Sequence, residues 1–345
     1  MASVRRCQQL WIIVLLLTVG FLAVAALTSG SVAIQPDRLL ATLLGQGDTM
    51  ETAVFWVIRL PRLLLGLAAG IALALSGAAL QGILRNPLAD PGLIGITAGA
   101  SLGSVTVIVL GEAVADSLPT ALRPWLLPIA AFLGAALVIA LVFSLAQRDG
   151  TTSVATLILA GVAINATASA IIGGLVYISD DDQLRDLTFW TMGALAGAGW
   201  PLVLIAVALT ALSAPLLVGQ AQALDLLQLG ERAAFHTGLD VERCKRRVAL
   251  GTAITVGAVT SAAGPIGFIG LVAPHLARLV FGPRHAVLLP TAVLMGIALV
   301  LAADLAVRLV APPAEPPLGL ATSLIGGPFF LWLLLRSPMN HEQGN

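Results

Sequence analysis

Residues 59–104 read RLPRLLLGLAAGIALALSGAALQGILRNPLADPGLIGITAGASLGS, and this stretch decides the fold. Its first apolar run, 63–83, carries no charge over about the twenty residues that an α-helix needs to cross a hydrocarbon core of about 30 Å. The run is dense in glycine, alanine and serine, so other helices can approach its backbone closely on several sides. The sequence therefore predicts a central membrane-spanning helix.

A second apolar run, 93–111, follows a break that contains Pro87, Pro91 and Gly92. Proline lacks the amide donor that a continuous helix needs, and glycine suits the turn that must replace the helix. The two runs therefore form a hairpin of two spanning helices.

The composition places the whole chain in a membrane. Of its 345 residues 58% are hydrophobic and only 10% are charged, and the mean hydropathy is +0.97. Near-spanning apolar runs recur throughout, which predicts an all-α polytopic protein with about ten transmembrane helices. The runs are 10–28, 63–83, 93–111, 125–146, 154–178, 200–218, 248–263, 265–281, 286–310 and 318–336. We interpret the first run as a span rather than a signal peptide.

Basic residues set the expected orientation. With about ten spans and the N-terminus inside, twelve of the 18 Arg and Lys residues fall on the inner side, as the positive-inside rule requires. Both termini are therefore expected in the cytoplasm. The spans beginning near 63 and 248 then run in opposite directions, and each is followed by a Gly/Pro-interrupted stretch, which is typical of an inverted repeat.

Several ordered motifs resemble one transporter family. They are R-L-P-R at 59–62, S-G-A-x-x-Q at 76–81, N-P-L-A-x-P-x-x-x-G-x-x-x-G-A at 86–100, G-P-I-x-F-I-G-L-x-x-P-H-x-x-R at 264–278, A-E-x-P-x-G at 314–319 and L-I-G-x-P-F-F-x-W-L-L at 324–334. Together they resemble the FecCD-type permease subunits of binding-protein-dependent ABC importers, which take up iron-siderophore complexes, haem and cobalamin. The resemblance implies a single transmembrane permease domain over 1–345 of the inverted-repeat, type II importer fold. It also implies a homodimer in the bacterial cytoplasmic (inner) membrane.

The longest polar interruption, 219–247, lies on the predicted inner side. Its alternating leucines and its breaks at Gly230 and Gly238 predict two short surface helices. From the residues alone, a docking surface and a basic loop that merely obeys topology fit equally well. The resemblance implies a segment that couples to ATPase subunits, through Leu224, Leu227, Leu229, Gly230, Glu231, Ala234, Gly238 and Leu239.

Enzymatic chemistry is not expected of this chain. No glycine-rich loop ends in Gly-Lys-Ser/Thr, and Lys245 is the sole lysine, so ATP and magnesium belong on a partner subunit. The scattered histidines offer no metal spacing, and we interpret His275 as a satisfied helix-end histidine rather than a ligand. Asp304 interrupts an apolar run, but Arg308 follows one turn later, so local pairing is favoured over a role in ion coupling.

Two further sets of residues lie at opposite faces. Arg59, Arg62 and Arg308 fall near the outer face, where arginines commonly reach to the interface; the resemblance implies docking of a periplasmic substrate-binding protein through them. At the inner mouth, Asn86 and Leu88 match the N-P-L motif of the family, and the resemblance implies a cytoplasmic gate there, although Asn-Pro also simply ends a helix and starts a turn. The loop at 151–153, where the second side of the gate is expected, departs from the family pattern.

The preferred hypothesis is therefore an ABC importer permease for an iron complex, haem or ferric siderophore. Its expected partners are ATP-binding cassette subunits, a periplasmic binding protein, a second copy of itself and the lipid bilayer, with no nucleic acid. A cobalamin permease of the same family, an ion-coupled secondary transporter and an intramembrane enzyme are the alternatives.

Overall fold

The structure is a computed structural model that describes residues 2–30, 32, 34–148, 150–310 and 315–336. The α-helices of this part of the chain are α1 (Ala2–Thr28), α2 (Leu39–Leu43), α3 (Thr49–Ala53), α4 (Leu60–Leu84), α5 (Ile96–Leu110), α6 (Glu112–Ser117), α7 (Leu126–Ala146), α8 (Val154–Ile178), α9 (Asp181–Met192), α10 (Trp200–Val218), α11 (Ala221–Leu227), α12 (Glu231–His236), α13 (Val241–Ala263), α14 (Ile269–Phe281), α15 (His285–Val310) and α16 (Leu318–Arg336). Short 3₁₀ turns lie at Pro36–Arg38, Pro91–Ile94 and Arg123–Trp125. Two strands, β1 (Gln147–Arg148) and β2 (Thr151–Thr152), pair antiparallel.

The predicted all-helical membrane fold is confirmed, because each of the ten apolar runs corresponds to a helix. Six helical segments within the described residues are long and apolar enough to cross a membrane, namely 8–28, 49–84, 123–146, 154–178, 200–218 and 285–310. Helices α5, α14 and α16 are apolar but shorter. Helix α13 begins with a charged turn and becomes apolar from Val248 onward.

Helix α4 lies at the centre, as its small residues predicted. Nearly all of its side chains are buried, and it packs against α10, α13, α14 and α15. A Cβ atom placed on Gly77 would lie 1.8 Å from the carbonyl oxygen of Gly270 in α14, and one on Gly70 would lie 2.5 Å from Cα of Ile297 in α15. The three helices therefore touch backbone to backbone.

The helix that contains α4 begins earlier than predicted, because α3 continues through a π-helical turn, Val54–Arg59, into α4. The amide of Leu60 bonds the carbonyl of Phe55, and residue 61 is proline, which has no amide hydrogen to donate. The carbonyl of Trp56 instead accepts a hydrogen bond from the indole Nε1 of Trp200, at 2.8 Å. Pro61 of the R-L-P-R motif thus leaves an acceptor that α10 uses.

Helices α5 and α14 both follow broken backbone, as the two interrupted motifs predicted. The chain reaches α5 through the 3₁₀ turn Pro91–Ile94 and reaches α14 through an irregular segment that ends at Phe268, whose φ is +67°. Gly326 in α16 leaves room for the Phe268 ring, since a Cβ there would lie 2.3 Å from Cγ of Phe268. At the first break, the side-chain amide of Asn165 in α8 donates to the carbonyl of Gly92 at 3.0 Å, so a neighbouring helix supplies a partner for the freed backbone.

Candidate functional site

The three arginines expected at the outer face lie at one end of the bundle, where α1 ends and α4 begins. Nε and Nη2 of Arg62 lie 2.9 and 2.8 Å from Oδ1 of Asp304, and its Nη1 lies 2.5 Å from Oε2 of Glu315. Nη2 of Arg308 lies 3.1 Å from the other oxygen of Asp304. The predicted Asp304–Arg308 pairing is confirmed, and Arg62 shares it. We call these side chains, together with Arg59, the arginine cluster.

The arginine cluster also caps the C-terminal end of α1. Nη1 of Arg308 donates to the carbonyls of Ala26 and Ser29, at 3.0 and 3.4 Å, and Nη1 of Arg59 donates to that of Leu27 at 2.5 Å. The last carbonyls of a helix lack partners within it and carry partial negative charge, so cations are favourable there.

The arginines of this cluster are buried rather than displayed. Arg59, Arg62 and Arg308 are 5%, 7% and 8% exposed, whereas the side chain of Glu315 is 44% exposed. The three arginines do lie together at one end of the bundle, but the sequence did not anticipate their acidic partners. Docking of a binding protein at this end stays a prediction.

At the opposite end of α4, the N-P-L motif forms a tight turn. Arg85 ends the helix with φ at +48°, and Oδ1 of Asn86 accepts a hydrogen bond from the amide of Leu88 at 2.9 Å. The turn role of Asn86 is therefore confirmed, while its role as a gate stays a prediction. Leu88 lines a cavity of about 360 Å³ together with Phe268 and Phe330.

The segment 219–247 contains the two predicted short helices, α11 and α12. Leu224, Leu227 and Ala234 are buried in the main core and hold the segment against the helical bundle. Leu229 and Phe235 are 70% and 68% exposed and present apolar surface on the other side. Of the residues predicted to couple to an ATPase, Leu224, Leu227 and Ala234 thus anchor the segment, whereas Leu229 is exposed.

The remaining predicted coupling residues lie at the two ends of α12. Gly230 and Gly238 bound the helix with φ at +106° and +87°, which a side chain would strain. Glu231 and Leu239 are half-buried and line a cleft of about 650 Å³ between α12, the start of α13 and the hairpin.

An ion-pair cluster borders this cleft through Glu231 and Glu242. Nζ of Lys245 lies 2.6 Å from the carbonyl oxygen of Thr152, 2.9 Å from Oε2 of Glu231 and 3.3 Å from Oε1 of Glu242. Burial alone would raise the pKa of Glu242, but hydrogen bonds from Thr152 and the charge of Lys245 outweigh it and leave the pKa below its ordinary value. We call these four residues the Lys245 node.

His275 corrects one sequence interpretation. It lies inside α14 rather than at its end, and neither ring nitrogen has a hydrogen-bond partner among the described residues. Its ring stands edge-on to Phe329, with centroids 6.3 Å apart. Within the same residues, no group of three or more His, Cys, Asp or Glu side chains is placed to hold a metal ion.

Comparison with known proteins identifies the family of this chain. The family model described as the FecCD transport family matches residues 15–336. The chain belongs to the FecCD transport family.

Relatives of this FecCD chain are permeases of two cargo types. It is 48% identical over 279 residues to the hemin transport system permease protein HmuU of Yersinia pestis, covering 81% of this chain and 82% of that protein. It is 41% identical over 286 residues to the cobalamin import system permease protein BtuC of Halobacterium salinarum, covering 82% and 74% respectively.

One solved structure is also close to this FecCD chain. A metal-chelate type ABC transporter in an inward-facing conformation superimposes with a TM-score of 0.81 at 32% identity, covering 93% of this chain and 97% of that one. The fold is therefore that of an ABC transporter permease.

The sequence motifs pointed to several residues of the site but not to their partners. Glu315 lies 253 residues from Arg62 in the sequence, so no local pattern indicated that it pairs with this buried cation. Glu242 lies one turn before Lys245 on the same helix, but the pairing was not predicted. Phe235 lacked a periodic apolar context, so its exposure on α12 was not foreseen. Asp225 accepts from both the amide and the ring Nδ1 of His285 at 2.8 and 2.7 Å, and it was missed because His285 lies 60 residues later in the sequence.

Proposed function

We propose that this chain is the membrane-spanning permease of a bacterial ATP-driven importer and that haem is its cargo. Two copies form the path through the cytoplasmic membrane, with both termini in the cytoplasm. ATP and magnesium bind to two partner ATPase subunits, and a periplasmic binding protein delivers the cargo. Membership of the FecCD transport family carries this proposal.

The choice of cargo follows from the relatives. Identity to the hemin permease is 48%, against 41% for the cobalamin permease quoted above. The 360 Å³ cavity beside the N-P-L turn is lined by Leu88, Leu93, Phe268, Leu271 and Phe330 along with Asp90 and two glycines. Such an apolar wall suits a large, chelated solute that is passed on rather than held tightly. Cobalamin is the second candidate, and ferric siderophores are the third.

Three parts of the molecule have separate roles in this proposal. The end that carries the arginine cluster receives the binding protein through Arg59, Arg62 and Arg308, with Glu315 at the surface. Asn86 and Leu88 close the path at the cytoplasmic end. Helices α11 and α12 contact the ATPase through their exposed Leu229 and Phe235 and are displaced by it. No residue of this chain performs covalent chemistry.

An ion-coupled mechanism is less well supported. A coupling acid must be free to exchange a proton or cation within the bilayer. Asp304 is 2% exposed, and each of its oxygens lies within 3.1 Å of an arginine nitrogen, so its charge is already compensated.

Reconstitution tests the function and the cargo together. Proteoliposomes containing this permease and its ATPase partner, with the binding protein outside, should accumulate haem only when ATP is enclosed, and an uncoupler should leave uptake intact. Parallel assays with cobalamin and a ferric siderophore should give little uptake. Uptake by the permease alone, driven by an ion gradient, would refute the proposal, and preferential cobalamin uptake would reassign the cargo.

A further inference from the structure

The Lys245 node joins three separate segments through one atom. Nζ of Lys245 bonds the carbonyl of Thr152 in β2, Glu231 at the start of α12 and Glu242 on its own helix, α13. An ammonium group has three donors, so these contacts use all of them. The side chain is 1% exposed, which gives the node a fixed geometry rather than that of a mobile surface pair.

Glu242 strengthens the attachment of the hairpin to the node. Its two oxygens accept hydrogen bonds from the amide and the hydroxyl of Thr152, at 2.9 and 2.5 Å. Thr152 is therefore held at its carbonyl by Lys245 and at its amide and hydroxyl by Glu242. Any displacement of this pair moves β2 with it.

Between α12 and the hairpin there is a cleft rather than a packed interface. The cleft of about 650 Å³ is lined by Gly150 and Thr151 at the hairpin and by Arg232 and Phe235 of α12, and Glu231 and Glu242 of the node also line it. Apolar packing therefore does not transmit motion across it, and the node supplies the connection.

A buried ion pair of this kind contributes little net stability, because desolvation of the charges offsets their attraction, but it can fix one arrangement of the segments that carry it. Removal of the ammonium would leave Glu231 and Glu242 close together without a counter-charge. The two carboxylates would then repel each other and separate α12 from α13 and the hairpin.

We propose that Lys245 is a positioning residue that transmits displacement of α12 to the β1–β2 hairpin. This inference rests on the proposed function, in which the ATPase pushes on α11 and α12. The hairpin joins α7 to α8 at the cytoplasmic end, so the node carries the push from the coupling helices to a second pair of spanning helices.

The first experiment measures the link in the isolated full-length permease. Spin labels at Thr151→Cys and Phe235→Cys report the distance across the cleft, in a Cys7→Ser background. Native Cys244 stays unlabelled because it is 2% exposed and burial raises the pKa of its thiol to about 11. Lys245→Met should replace one narrow distance by a broad distribution, and Lys245→Arg should largely retain the narrow one.

Arg247→Met is the matched control, since it removes the same charge from an exposed position on α13 and should leave the distance unchanged. An unchanged distribution in Lys245→Met, or equal broadening in the control, would overturn the inference whether or not the protein proves to be an importer.

The second experiment measures coupling in the reconstituted complex. Haem imported per ATP hydrolysed should fall about tenfold in Lys245→Met, within the range typical of coupling between sites, while co-purification with the ATPase stays intact. Lys245→Arg should restore most of the ratio. Such a rescue by a second cation would show that the fall in Lys245→Met comes from loss of the charge and not from misfolding or lost assembly. An unchanged ratio would refute the inference. Failure of the wild-type complex to import would refute the proposed function, and the distance measurement alone would then test the role of Lys245.

Discussion

Arg62 and Asp304 lie 242 residues apart in the sequence, yet two nitrogens of the guanidinium converge on one carboxylate oxygen inside the protein, at 2.9 and 2.8 Å. Arg308 takes the other oxygen at 3.1 Å. One acid thus compensates two buried cations, one on α4 and one on its own helix, α15.

Asp304→Asn should therefore destabilise the protein strongly. Removing one partner of a buried ion pair leaves an uncompensated charge, which costs about 3–5 kcal/mol. Thermal unfolding in detergent should show a large drop in Tm. Asp116→Asn is the control, because Asp116 and Arg123 are 3.6 Å apart with side chains 71% and 43% exposed, and such a pair is worth at most about 1 kcal/mol. Equal shifts for both variants would contradict this account.

Glu315→Gln should strengthen docking of the binding protein. Glu315 occupies Nη1 of Arg62 at 2.5 Å and is 44% exposed, so an incoming carboxylate must compete with it. Loss of its charge should tighten docking by a few-fold, corresponding to at most about 1 kcal/mol. Binding measured at several salt concentrations, with the permease in nanodiscs, tests this. Weaker docking by the variant would instead mean that Glu315 orients Arg62 for the partner.

Gly77→Ala should force α4 and α14 apart. Its Cβ would lie 1.8 Å from the carbonyl oxygen of Gly270, and backbone must move to accept it, at a cost of about 1–3 kcal/mol. Gly20→Ala in α1 is the control, since nothing lies within 4 Å of its added Cβ. Resistance to unfolding by SDS should fall for the first variant and stay level or rise for the second. Unchanged resistance for Gly77→Ala would show that the contact between α4 and α14 accepts the added methyl group without loss of stability, contrary to this prediction.

Acid should weaken the Lys245 node only when the pH falls below the ordinary pKa of a glutamate side chain. Because the pKa of Glu242 is lowered from 4.5, its stabilising contribution is complete above that pH and is lost as pH falls through the lowered value. The Tm difference between wild type and Glu242→Gln should therefore be constant from about pH 7 to about pH 5 and shrink at lower pH. A difference that already shrinks near neutral pH would contradict the lowered pKa.

Hydropathy was sufficient to predict the spanning helices, since bilayer thickness sets their length and composition marks them directly. The breaks before α5 and α14 were predictable too, because Pro and Gly act locally on the backbone. Even the position of α11 and α12 followed from Gly230 and Gly238.

Partnerships across the chain were not predictable in the same way. Nothing near Arg62 in the sequence indicates Asp304, and nothing near Lys245 indicates Thr152, because such contacts depend on how whole helices are arranged. The leucines of α11 illustrate the point: Leu224 and Leu229 look alike in the sequence, yet one is fully buried and the other is 70% exposed. Which face turns inward was decided by the bundle beneath them.

The π-helical turn at Val54–Arg59 has a consequence for protein engineering. A turn of this type holds one residue more than an α-helical turn, and each residue rotates a helix by about 100°. Regular winding of the same residues would therefore swing everything upstream, including α3, around the axis and carry Trp56 away from Trp200. Chimaeras that exchange the N-terminal region must keep this wide turn, or lose one residue where regular winding replaces it, as well as match hydrophobicity.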